Sequence, residues 1–110
     1  MHPEVAKLAE LAQEVADLLI GYGERGWGDW FQKDAARIRN LDLYGVEHIL
    51  LAYGGMGSIN DLVIHPKNGH SVGIEDVAVA NEKLRTLIGK ISRLAKKLYG
   101  EEIDAQHAKK

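Results

Sequence analysis

From Val77 to Leu98 an apolar residue returns at every third or fourth position (Val77, Ala80, Leu84, Leu87, Ile91, Leu94 and Leu98) without a slip. That period belongs to a helix with one buried face, not to a strand, whose sides alternate residue by residue. Lysines and arginines fill the outer face toward its C-terminal end, where they complement the helix dipole. A matching stripe stands at the other end of the chain: Val5, Leu8, Ala12, Val15, Leu19 and Tyr22, widened by Leu11 and Leu18. Pro3 suits a first helical turn, and Gly21 and Gly23 weaken the helix near Tyr22–Glu24. Two seams of similar length point to an all-α fold, an antiparallel bundle of about four helices. The same seams also allow two copies to pair as a homodimer.

Two further helices lie between them. Trp27, Trp30, Phe31, Ala35 and Ile38 recur at helical spacing between about Gly26 and Arg39. The cluster reads either as core filling, the preferred reading, or as a stacking surface for a ligand or partner. A third helix is expected from Asp42, a good N-cap, through Leu43, Val46, Leu50 and Tyr53 to the Gly54-Gly55 stop. Gly54 to Gly73 then breaks the pattern with five of the twelve glycines and two of the five histidines. Leu62-Val63-Ile64 is strand-like and Pro66-Lys67-Asn68-Gly69 is turn chemistry. The insert between helices three and four is thus a glycine-rich loop or a small β-hairpin, Leu62–His65 with His70–Val72. The alternative is a compact loop with one helical turn, since Ser58 to Asp61 resembles a capping box. Gly100 is the expected stop of the last helix. Residues 1–100 then form one domain and 101–110 a flexible polar tail.

Composition narrows the function classes. With no cysteine, disulfides, thiolate metal sites and cysteine nucleophiles are excluded. Met1-His2-Pro3-Glu4 does not read as a secretory leader, and no run approaches a membrane span. A cytoplasmic protein with no membrane association is expected. Residues 1–24 carry five acids against Lys7, and residues 75–99 six bases against three acids. The segregation reads as acidic and basic helices lying side by side rather than as a nucleic-acid surface. The net charge of −2 lacks the basic excess such binders show.

Ala52-Tyr53-Gly54-Gly55-Met56-Gly57-Ser58-Ile59-Asn60-Asp61-Leu62-Val63-Ile64-His65-Pro66, followed by Asn68-Gly69-His70, forms a long and specific motif. It resembles the core of a family of small bacterial proteins known only as a domain of unknown function. In that family a tryptophan-bearing helix precedes the motif and a long charged helix follows. The resemblance spans about residues 20–95 and implies no activity. It marks the central loop as the place for function, and proteins of this type often accompany bacterial toxin–immunity genes.

Ser58, Asn60, Asp61, His65, Asn68 and His70 are therefore the candidate functional residues. Asp61, His65 and His70 make a two-histidine, one-carboxylate metal set on paper, though their spacing matches no strong signature. Ser58 lacks the elbow context of a nucleophile. A hydrolytic site on Asp61 and a histidine would need further charges, and the loop offers only Lys67. The simpler reading is that Asn60 and Asp61 satisfy backbone N–H groups bared by the glycines. No catalytic, cofactor or metal residue is assigned. The leading expectation is a non-enzymatic interaction module, of immunity or regulatory type, with a protein partner. The alternative is a small enzyme or metal-binding protein working through Asp61, His65 and His70.

Overall fold

A computed structural model describes residues 2–108, with side chains through residue 101. The described residues are mostly helical and contain no strand: α1 Pro3–Gly21, α2 Arg25–Arg39, α3 Tyr44–Leu50 and α4 Val77–Ala108. Short 3-10 turns stand at Ile59–Asp61, Pro66–Asn68 and Ile74–Asp76.

α1 begins where His2 Nδ1 accepts the Glu4 N–H at 3.1 Å, ahead of Pro3. Its stripe buries Leu8, Leu11, Ala12, Val15 and Leu19, the large ones worth roughly 1.5–3 kcal/mol each. α1 packs on α2 along one side and on α4 along another. Both neighbours run antiparallel to it. Gly28 of α2 lies against Ile20, while Arg39 Nη1 donates to Gln13 Oε1 at 3.1 Å. On the α4 side Lys97 Nζ meets Glu4 Oε2 at 2.6 Å, and Lys83 faces Glu14 and Asp17. The acidic and basic helices therefore lie side by side. The Lys97 ammonium holds the Glu4 carboxyl below the usual carboxylate range and is itself pushed up by it.

α3 departs from expectation. Asp42 Oδ1 does accept the Tyr44 N–H at 3.2 Å, but the helix lasts seven residues and ends at Leu50, before the glycines. Gly45, Val46 and Ile49 face inward, and Leu43, expected in the stripe, is 38% exposed. The cause lies in the α2–α3 corner. The Asp42 N–H bonds the Arg37 carbonyl at 2.8 Å, and Leu41 takes a left-handed φ of 61° while 63% exposed. That corner sets which side of α3 meets α2. Gly45 then lets the two helices touch: a Cβ there would come within 2.9 Å of Arg37 Cβ and of Ile38 Cγ1.

The hairpin does not form. Leu62–Ile64 is extended, but its ladder partner is a side chain on α4. Asn81 Oδ1 accepts the Ile64 N–H at 2.8 Å, and its Nδ2 donates to the Ile64 carbonyl at 2.9 Å and to Val77 at 2.8 Å. The other arm leaves for the α1–α2 corner, where the Ser71 N–H bonds the Tyr22 carbonyl at 2.8 Å. Gly100 does not stop α4, which continues to Ala108 because a single glycine inside a helix costs only about 1 kcal/mol. Helical backbone thus covers most of the stretch expected as a tail. Residues 109–110, and the side chains beyond 101, lie outside the described residues.

Candidate functional site

The loop residues singled out by the sequence are engaged with their own backbone. Gly57, at φ 78°, presents an N–H that Asp61 Oδ2 accepts at 2.9 Å. Asn60 Oδ1 accepts from the Gly54 N–H at 3.2 Å and from Ser58 Oγ at 3.4 Å. Asn68 Nδ2 donates to the Val63 carbonyl at 2.9 Å, and His65 Nδ1 accepts the Lys67 N–H at 3.0 Å. His70 is buried; its Nδ1 accepts the His65 N–H at 3.1 Å, so its Nε2 carries the proton and donates to Glu24 Oε1 at 3.3 Å. Asp61, His65 and His70 are not brought to one point, and no group of three or more metal-ligating side chains forms among the described residues.

A different constellation assembles where α3 meets α2. Asp34 is fully buried. Arg37 Nη1 donates to its Oδ1 at 2.7 Å, and His48 Nδ1 donates to its two oxygens at 2.9 and 2.8 Å. Burial pushes the Asp34 carboxyl above the usual carboxylate range, against the opposing pull of His48 and Arg37. The imidazole is stacked on Trp30, with centroids 4.1 Å apart and planes at 21°. Tyr44 stands 5.5 Å from His48, and the Arg37 guanidinium lies 5.5 Å over the Tyr44 ring. Because Nδ1 is spent on Asp34, Nε2 is the free ring nitrogen, available as acceptor or, when protonated, as donor.

This cluster borders a groove along α2. One part, of about 350 Å³, is lined by Glu24, Gly26, Trp27 and Trp30. The next, of about 300 Å³, is lined by Gly26, Asp29, Trp30, Lys33, Arg37 and His48. Glu24 Oε2 accepts the Trp27 N–H at 3.1 Å while Oε1 accepts from His70 Nε2, so the loop and the groove share one carboxylate. The aromatic cluster divides accordingly: Phe31 is core, while Trp27 and Trp30 are half-buried in the groove wall. Trp30 Nε1 is buried without a protein acceptor, so packing against the core and stacking on His48, not a hydrogen bond, hold its ring.

Residues 21–73 match a family described as a domain of unknown function, DUF6966. The matched stretch carries α2, α3 and the glycine-rich loop, hence both the groove and the loop that braces it. It ends at Gly73, short of α4. No curated protein and no solved structure matches the chain. No helix among the described residues is long and apolar enough to cross a membrane.

Asp34 and His48 escape a motif search because they stand fourteen residues apart in unremarkable helical contexts. One signal does exist. Asp34 shares a face with Phe31, Ala35 and Ile38, and a carboxylate on an apolar stripe needs a buried partner.

Proposed function

We propose that the chain is a non-enzymatic protein-interaction module whose contact face is the α2–α3 side, a stoichiometric binder that masks or regulates another protein. The observation that carries this reading is the Trp30–His48 stack, locked from below by Asp34 and flanked by Trp27, Tyr44 and Arg37. Tryptophan, tyrosine and arginine dominate interface hot spots, and rings held rigid before binding lose little entropy on contact. Leu41 in the α2–α3 corner, Leu51 at the end of α3 and Met56 in the loop after it are also exposed, at 63%, 67% and 101%. Tyr44 opens α3 and Leu51, one heptad on, is its C-cap in helical conformation, so the two share a side.

Affinity capture from the native host, comparing wild type with Tyr44→Glu/Leu51→Glu, tests the reading. Both sites are exposed, so the variant keeps its circular-dichroism spectrum. The expected result is one protein captured in equal amount by wild type and lost with the variant. No such protein, or one retained equally by the variant, overturns the reading. Light scattering of the purified wild type shows whether the same face pairs two copies.

The metal or hydrolytic alternative gains no support from the loop, where Asp61 and His65 each hold a backbone N–H and His70 holds one as well as the Glu24 carboxylate.

A further inference from the structure

On the opposite flank of α3 and the loop, a cavity of about 310 Å³ is lined by Tyr53, Asn60, Arg85, Ile88, Gly89, Ser92 and Arg93. Two arginines and no acidic side chain line it. The remaining α4 cations do not all compete for this role: Lys83 and Lys97 are turned to the acids of α1. Arg85 and Arg93 stand eight positions apart with Gly89 midway, so the three share a side of the helix. Gly89 keeps the floor between them clear, since a Cβ added there would meet only Arg93 Nη1, at 3.6 Å. Arg85 is tied to the loop by one long hydrogen bond, Nη1 to the Asn60 carbonyl at 3.5 Å.

The polarity of the far wall is also set. Asn60 Oδ1 is turned to Gly54 N–H and Ser58 Oγ, which leaves its Nδ2 as the free, donating end. The Tyr53 hydroxyl donates to the Ile88 carbonyl at 2.6 Å, and burial pushes its phenol up, so no phenolate forms there. Arg85, Arg93, Asn60 and Ser92 thus line one cavity that no acidic side chain lines. Guanidinium pairs recognise phosphoryl oxygens through paired N–H donors. The volume lies at the lower end of small-molecule sites, which suits a small ligand.

We propose that this cavity binds the phosphoryl group of a small phosphorylated ligand, with Arg85 and Arg93 as its principal contacts and Asn60 and Ser92 completing the donor set. The family loop then has a second purpose beyond closing the α3–α4 connection: its Asn60 forms one wall of an oxyanion site. The site is independent of the α2–α3 face.

Calorimetric titration with inorganic phosphate and, separately, ribose 5-phosphate tests it. Binding with a Kd of about 1 mM or tighter is expected, weakening as salt is raised. Arg93→Gln and Arg85→Gln, both at exposed positions, should each weaken it about tenfold, corresponding to the loss of roughly 1.4 kcal/mol. Lys83→Gln, on the α1 side, should leave it unchanged. Tighter binding of the sugar phosphate identifies an organic phosphomonoester, and equal binding identifies the free ion. Either result supports the site. No heat with either probe at about 10 mM, or equal binding by wild type and both arginine variants, overturns it.

Discussion

Asp34 stands where α2 presents Phe31, Ala35 and Ile38 to the interior. A carboxylate with no exposed surface is tolerated there because His48 and Arg37 supply three close contacts. The sign of its pH dependence follows from burial. Its folded-state value lies above the ordinary one. Its stabilising contribution is therefore complete below the unfolded-state value and fades as pH rises through the folded one. Removing His48 takes away one opposing pull and raises it further. His48→Ala is expected to cost about 3 kcal/mol at neutral pH, near the low end for a broken buried pair because Arg37 remains. The loss should be smaller at about pH 4, because a carboxyl held above the ordinary carboxylate range takes up its proton as the pH is lowered toward that point and no longer leaves a buried charge unpaired. Urea unfolding at the two pH values checks it, and an equal loss at both would contradict the account. Trp30→Phe offers a second check. The indole N–H has no protein acceptor, so its removal strands no partner, and the expected cost is under about 1.5 kcal/mol. None of this was readable as a motif; only the misplaced carboxylate on α2 pointed inward.

Short elements were harder to read than long ones because their neighbours decide them. The extended run Leu62–Ile64 was visible in its side chains. What the sequence does not advertise is that Asn81, nineteen positions beyond Leu62 and inside a helix, stands in for a paired strand by bonding both polar groups of Ile64. Asn81→Ala should strip the Ile64 N–H and C=O of their partners. The expected cost is about 2–3 kcal/mol, with faster hydrogen exchange at the Ile64 amide. A helix of seven residues offers two turns of pattern at most, so Leu43 reads as core although it is Gly45 that meets Ile38. Gly45→Ala should push α3 off α2 at a cost of about 1–3 kcal/mol, seen as loss of the His48–Asp34 contact in the imidazole NMR shifts. The role of Asn60 and Asp61 in holding glycine N–H groups was, by contrast, legible from residue type alone.

Across the whole molecule, the helices with long apolar repeats were the legible part. The stripes of α1, α2 and α4 recur as buried Leu8, Val15, Leu19, Phe31, Ile38, Leu84 and Ile91. Charge segregation, and the side-by-side packing it implies, was legible as well, but the sorting of individual cations was not. α4 gives Lys83 and Lys97 to α1 and keeps Arg85 and Arg93 for the cavity on its other side. Only the rotation of α4 between its neighbours sorts the two sets, and periodicity leaves that rotation open. The connection between α2 and α3 carries one more consequence. Leu41 sits in a left-handed conformation that opposes its own Cβ, and most of its hydrocarbon is in water. Glycine would relieve about 1 kcal/mol of steric opposition there, so Leu41→Gly should unfold at higher denaturant than wild type while weakening partner capture. A corner built that way is a standing sacrifice of robustness, and under the proposed interaction role the isobutyl group is hydrocarbon held ready for another molecule to shelter.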